Sequence, residues 1–290
     1  KRNLKSNEAS LKYFLMGSFS TGLMLMGIAL IYGAKGSFVM EAIALGSSDL
    51  TPMLSAGLLL LLFSMAFKVS AAPFHFWTPD VYDGAPTVFT SFMATIVKAA
   101  AFIAFLRLFE GCFGDMHPQW QLPVAIITAA TLLIGNITAV FQQSVKRMLA
   151  YSSIAQAGFM MLALVSLNGR AKEGLIFYAA AYSLATIGVF AVLIKMKDYT
   201  FEGFNGLGKR EPVLAATNTV FLLSLAGIPA TAGFMAKFYM LSATIANGHV
   251  FWLVLLAIGC AAISVYYYFR VIQAMYFKEG EEEHAIATTP

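Results

Sequence analysis

The sequence predicts an all-α membrane protein from three observations: its composition, the length of its apolar runs and the placement of its basic residues. Hydrophobic residues make up 59% of the 290 residues, charged residues only 12%, and the mean hydropathy is +0.74. A soluble domain of this length has more charge. Several apolar runs reach about 20 residues, enough for one helix to cross a bilayer. We expect a single transmembrane domain over 1–290, with a polar tail at 279–290.

The apolar runs predict about eight spans joined by short polar connections. The longest connections, 33–52 and 196–212, are too short for a further domain. In order, the predicted spans are 9–32, 53–72, 87–109, 122–142, 149–167, 173–195, 213–240 and 249–274.

Basic residues outside these spans favour one side of the membrane. Of the 19 Lys and Arg, three lie inside spans, 12 fall on one side and four on the other. The positive-inside rule then predicts that both ends of the chain are cytoplasmic. We attribute the net charge of +4 to this topology and not to binding of nucleic acid.

Three lysines lie within apolar spans, where a charge costs about 2.5–3.5 kcal/mol on insertion scales. Lys98 is near the middle of the third span, and Lys68 and Lys237 lie on the second and seventh. Burial disfavours a charged amine, so buried lysines can exchange protons near neutral pH. The three lysines therefore indicate a proton or ion path. The alternative for each is snorkelling towards a headgroup.

Proline and glycine predict two discontinuous helices beside these lysines. One break is expected near Pro73, and another at Gly227 and Pro229 with a further interruption at Gly233. Proline removes a donor and clashes with the preceding turn. Broken helices at corresponding places in two halves indicate a transport site, where freed carbonyls stabilise ammonium groups.

Five further residues are candidates for the path. His75 follows the first break and titrates nearest neutrality, although it could be a satisfied histidine at a helix end. Glu8 and Lys12 lie at the mouth of the first span, where an i,i+4 surface pair is the alternative. The hydroxyls of Tyr151 and Ser152 could support a water chain, but N-capping explains them equally well.

Motifs for metal, phosphate and nucleophilic chemistry are missing from the sequence. It has no Gly-rich phosphate loop, no cysteine cluster and no histidine pair at haem or metal spacing. We therefore predict that this chain holds no metal or cofactor and performs no redox or hydrolytic chemistry itself.

Three segments around the lysines resemble the antiporter-like membrane subunits of proton-pumping NADH:quinone oxidoreductase, respiratory complex I. From residues 67, 144 and 224 they read FKVSAAPFHFWTPDVYDGAP, SVKRMLAYSSIAQAG and SLAGIPATAGFMAKFY. The residues around Trp77 and Lys237 are most similar to the subunit N, or subunit 2, type. The related M type is expected to have a glutamate near position 237.

This resemblance implies an antiporter-like fold with inverted repeats and a proton path. Lys68 and Lys98 match the family's path lysines, Lys237 its terminal site, and His75 its histidine after the first break. The family's essential glutamate would precede Lys1, so we expect a central segment cut at both ends.

The resemblance also implies the partners and the location. FMN and iron–sulfur clusters are expected in partner subunits, and the quinone site elsewhere in the complex. The expected partners are other membrane subunits of complex I and the lipid bilayer, most simply the bacterial inner membrane. A subunit of a multi-subunit sodium/proton antiporter is the alternative function, since it shares the fold and the lysines. A purely structural scaffold leaves the lysines unexplained.

Overall fold

The computed structural model describes residues 3–45, 51–248 and 250–280, so most of the predicted tail at 279–290 lies outside the described residues. Thirteen α-helices are present in the described ranges, and the β-pairing there is limited to an isolated bridge between Ser144 and Thr200. The helices are α1 Leu4–Lys35, α2 Met40–Ala44, α3 Pro52–Lys68, α4 Trp77–Gly84, α5 Thr87–Phe92, α6 Lys98–Phe113, α7 His117–Val140, α8 Val145–Ser166, α9 Gly169–Lys195, α10 Leu207–Arg210, α11 Pro212–Ala226, α12 Ala232–Ile245 and α13 Phe251–Phe277.

Five helical stretches of the described chain are long and apolar enough to cross a membrane. One of them, Thr87–Val140, is a run of 54 residues that contains α5, α6 and α7. Helices α3 and α11 are apolar but shorter. The prediction of an all-α membrane protein is confirmed.

Helix α8 lies at the centre of the molecule. All of its residues except Arg147 and Tyr151 are buried, and α4, α7, α9, α12 and α13 pack around it. Small residues such as Ala155 and Gly158 let α7 approach α8 closely, as in other membrane helix interfaces. The polar side chains of α8 from Ser152 to Ser166 are therefore surrounded by protein.

Helix α1 lies at the edge and packs mainly on α3 and α4. The hydroxyl groups of Ser20 and Ser64 lie 3.3 Å apart where α1 crosses α3, and the Ser64 hydroxyl also donates to the Ser20 carbonyl. Much of the remaining surface of α1 is exposed and apolar.

The two predicted helix breaks are confirmed. Helix α3 ends at Lys68 and α4 begins at Trp77, whose indole N–H donates to the Phe67 carbonyl across the break at 3.1 Å. Helix α11 ends at Ala226, and α12 begins at Ala232. Gly233 therefore lies inside α12, and the further interruption predicted there is wrong.

A third irregularity was not predicted. Residues Met93–Val97 form a π-helical turn directly before Lys98. π-Turns inside α-helices are rare and occur frequently at functional sites. All three lysines singled out in the sequence therefore lie at or near an irregular stretch of helix.

Candidate functional site

Lys98 is held inside the protein by a single residue of α8. Its side chain is 2% exposed, and Nζ donates to the main-chain oxygen of Ser153 at 2.8 Å and to its Oγ at 2.6 Å. Because the ammonium group points into the protein, the snorkelling alternative is wrong for Lys98. The Ser153 Oγ also accepts a hydrogen bond from the Tyr182 hydroxyl of α9 at 2.9 Å.

Lys237 is held by the second helix break. Its side chain is 6% exposed, and Nζ donates to the carbonyls of Leu225 and Ala226 at 3.1 and 2.8 Å. These carbonyls end α11, where the helix dipole favours a cation. Nζ also lies 4.9 Å from the centre of the Phe159 ring. Snorkelling is therefore wrong for Lys237 as well.

Gly227 permits this arrangement. It ends α11 with φ of +82°, and a Cβ at this position would lie 2.9 Å from Cδ of Lys237. A side chain here would be both strained and in the way of the lysine.

Polar side chains lie between the two lysines along α8. Gln156 donates to the Leu225 carbonyl, the same oxygen that Lys237 contacts, and accepts a hydrogen bond from Tyr178. Lys98 meets α8 at Ser153 and Lys237 meets it at Phe159, which are about 9 Å apart along a helix. The lysines thus lie near the two ends of one buried polar strip, which consists of Ser153, Gln156, Tyr178 and Tyr182.

Ser152 adds a side branch to this strip. Its hydroxyl forms a short hydrogen bond with the Tyr268 hydroxyl of α13, which also accepts from Gln156. The N-cap of α8 is Ser144, whose side chain accepts from the Arg147 N–H. The capping alternative for Tyr151 and Ser152 is therefore wrong. Tyr151 is half-buried.

Lys68 differs from the other two lysines, because its side chain is exposed. The prediction that all three lysines are buried is wrong here. Lys68 ends α3 at the wall of an open groove of about 810 Å³ between α1 and α5–α6. Residues of α1 such as Phe14 line the groove without covering the lysine. Lys98 lines the same groove, so both lysines face one space.

His75 lies in the first break, between α3 and α4. Its side chain is 7% exposed, and its Nδ1 is buried without a hydrogen-bond partner among the described residues. Its place on a proton path stays a prediction.

Glu8 and Lys12 form the expected i,i+4 pair at 2.6 Å, and the pair extends into a larger ion cluster. Lys12 also contacts Asp80 of α4 at 2.8 Å, and Arg147 of α8 contacts the other Asp80 oxygen at 3.0 Å. Asp80 therefore ties α1, α4 and α8 together. The alternative of an i,i+4 surface pair is present as part of this clamp, and a place for Glu8 and Lys12 on a proton path stays a prediction.

Replacing Asp80 by Asn is expected to weaken this clamp and destabilise the protein by about 1 kcal/mol, because two partly exposed ion pairs are lost. The measurement is the thermal unfolding midpoint of the purified protein in detergent at low and high salt. Asp83→Asn on the same helix is the matched control, since Asp83 forms no ion pair within the described residues. Equal midpoints for the two variants at low salt would contradict the clamp.

Several residues of this site were not singled out in the sequence. They include Gln156, Tyr178 and Tyr182 of the strip. The feature of the sequence that could have identified them is a polar group within an apolar span. Lys146 was assigned to a cytoplasmic loop by its position between spans. The structure buries it against the carbonyls of Asp83 and Ala85, at 3.0 and 2.7 Å.

The helices and their two interruptions define a multi-pass α-helical membrane protein with one buried amine, Lys237, at the second break and another, Lys98, after the π-helical turn. Comparison with known families places it more narrowly. The profile of the NADH:quinone oxidoreductase/Mrp antiporter transmembrane family matches residues 1–264, and the chain belongs to this family.

Individual relatives agree with this assignment. The chain is 46% identical to NADH-quinone oxidoreductase subunit N of Trichlorobacter lovleyi, over 97% of the chain and 59% of that protein. In respiratory complex I from Thermus thermophilus with bound aureothin, one chain is 40% identical with a TM-score of 0.83, over 94% of this chain and 60% of that one. The Mrp complex from Dietzia sp. contains a chain that is 22% identical with a TM-score of 0.90, over 97% of this chain and 53% of that one, which shows the fold alone.

The chain therefore has the antiporter-like membrane fold. It spans about three fifths of the length of the curated relatives that it matches.

Proposed function

We propose that this chain belongs to a proton-translocating membrane subunit of NADH:quinone oxidoreductase. Protons move through buried lysines and water in response to redox chemistry in other subunits. The observation that supports this most directly is the pair of buried amines, Lys98 and Lys237, near the two ends of one polar strip on α8.

In this proposal each lysine has a separate role. Lys68 and His75, at the first break, receive the proton, and Lys68 shares its groove with Lys98. Lys98 passes it inward, and Lys237 is the terminal site towards one membrane face. Main-chain carbonyls hold both buried amines, and this arrangement accommodates the charged and neutral forms without an acidic partner in contact.

We further propose eight spans within one transmembrane domain over 1–290. The 54-residue run Thr87–Val140 exceeds twice the length of one crossing and is counted as two spans. Helices α3 and α4 form one broken span, and α11 and α12 form another. These two broken spans occupy corresponding places in two inverted repeats. Both ends of the segment are cytoplasmic, and the membrane is the bacterial inner membrane.

The chemistry that drives translocation is assigned to partners. FMN and iron–sulfur clusters belong to other subunits, the quinone binds elsewhere, and this chain is a translocase component without a redox centre. Its neighbours are the other membrane subunits of the complex. A sodium/proton antiporter subunit is the second candidate, supported by the fold shared with the Mrp complex.

The two candidates are separated by purifying the intact assembly that contains this chain and reconstituting it in liposomes. NADH and a quinone should drive proton movement across the membrane, and iron–sulfur subunits should copurify. Exchange of sodium for protons without NADH, together with an assembly that lacks iron–sulfur subunits, would favour the antiporter and contradict the proposal.

A further inference from the structure

The Tyr182 hydroxyl lies next to the oxygen atom that holds Lys98. The phenol is on α9, buried, and donates to Ser153 Oγ at 2.9 Å. The same Oγ accepts from Lys98 Nζ at 2.6 Å. One serine oxygen therefore separates the amine from the phenol.

Tyr182 also reaches the surroundings of Lys237. A cavity of about 10 Å³ is lined by the polar side chains of Tyr182, Tyr178, Gln156, Ser224 and Lys237 and by apolar residues such as Ala181 and Leu225. A polar cavity of roughly 10–15 Å³ is about the least that holds one water molecule. A single water in this cavity would have hydroxyl, amide and amine groups as partners.

Among the polar groups of the strip, hydroxyls are suited to pass a proton. A hydroxyl donates one hydrogen and accepts through its lone pairs, so it can take up a proton on one side and release another. The Gln156 amide lacks this ability in its ordinary form. Gln156 instead positions the strip, since it binds both Tyr178 and the Leu225 carbonyl.

We propose that Tyr182 is the proton carrier that joins Lys98 to Lys237, an inference that rests on the proposed function. The Tyr182 hydroxyl turns its hydrogen from Ser153 to the cavity, protonated Lys98 gives a proton to Ser153 Oγ, and Ser153 gives its own hydroxyl proton to Tyr182. The phenol releases its proton to the water in the cavity, and that water protonates the neutral Lys237 amine. Each hydroxyl gains and loses one proton, so the net change is transfer of one proton from Lys98 to Lys237.

Tyr182→Phe tests this carrier, and Tyr199→Phe is the matched control. Each tyrosine hydroxyl bonds one side-chain hydroxyl, but Tyr199 bonds Thr87 of α5 and does not line the cavity. In the intact assembly in liposomes, Tyr182→Phe should lower NADH-driven proton translocation by about 100-fold or more, as for loss of an acid–base group. Tyr199→Phe should stay within about twofold of the unsubstituted protein, because no acid–base group on the route is lost.

A second variant tests the route if the Tyr182→Phe subunit fails to assemble into the complex. Ser153→Ala removes the hydroxyl between Lys98 and Tyr182 but leaves the main-chain oxygen that Lys98 also contacts. It should reproduce the translocation defect in an assembly of normal subunit composition. Normal translocation by Ser153→Ala would overturn the route.

Lys98→Met and Lys237→Met, measured beside these variants, separate the inference from the proposed function. Lost translocation in both lysine variants with normal translocation in Tyr182→Phe would overturn the carrier and leave the proposed function intact. Equal defects in Tyr199→Phe and Tyr182→Phe would show a general effect of losing a tyrosine hydroxyl and overturn the carrier. Normal translocation in both lysine variants would overturn the proposed function, and the carrier with it.

Discussion

Lys98→Met is expected to reduce NADH-driven proton translocation in the intact assembly to below about a tenth of the unsubstituted rate, as for loss of an acid–base group. Methionine has a similar length and fills the apolar surroundings, so packing is largely kept. The lost group is the amine that contacts both oxygen atoms of Ser153. The measurement is acidification of the liposome lumen per NADH oxidised. Lys68→Met should give the same result, since Lys68 lines the groove that Lys98 reaches.

Lys98→Arg distinguishes a relay from a fixed positive charge. Arginine keeps the charge but does not release its proton in proteins. It should therefore fail as Lys98→Met does. Lys172→Met is the control, because Lys172 is a partly exposed lysine of α9 paired with Glu110, and such pairs contribute little. Restored translocation in the arginine variant, or an equal loss in Lys172→Met, would contradict the relay.

The helix breaks could be predicted from the sequence because their causes are local. Pro73, Gly227 and Pro229 act on the backbone of their own segment, and α3, α4, α11 and α12 begin and end around them. Span positions were predicted for the same reason, since the length of an apolar run is a property of that run alone.

Exposure and contacts depended on other parts of the chain. Lys68 and Lys98 both lie within apolar runs of the sequence. In the structure Lys68 is exposed, whereas Lys98 is buried against α8. Lys146 lies between two predicted spans, which indicates a loop residue. Its burial depends on the end of α4, where it donates to the Ala85 carbonyl. No pattern in residues 93–97 indicated the π-helical turn before Lys98.

The hydrogen-bonded strip depended most on tertiary structure. Ser153 and Tyr182 are on different helices, and their contact follows from the way α9 packs on α8. The sequence could show only that Gln156 is a polar residue within an apolar span. Its hydrogen bonds to Leu225 and Tyr178 depend on how the second helix break packs beside α8, which the sequence does not show.

Gly233→Ala is expected to be the most damaging single-methyl substitution at the second break. Gly233 lies in the first turn of α12, and its N–H bonds Ser224 Oγ at 3.1 Å. A Cβ there would lie 1.7 Å from the Ser224 carbonyl oxygen, so α12 must move away from α11. Overpacking of this kind costs about 1–3 kcal/mol. Lys237 lies one turn further along α12, so the shift should also separate its amine from the carbonyls of Leu225 and Ala226.

The prediction for Gly233→Ala is therefore a lower thermal unfolding midpoint together with a large loss of NADH-driven proton translocation. Gly259→Ala provides the matched control. Gly259 lies within α13, and a Cβ at this position meets no atom within 4 Å in the described structure. Alanine also favours a helix over glycine by about 1 kcal/mol, so this variant should be neutral or slightly stabilised. An unchanged midpoint and normal translocation in Gly233→Ala would mean that Lys237 does not depend on close contact between α11 and α12. A midpoint that falls while translocation stays normal would separate the stability of the break from its part in the proton path.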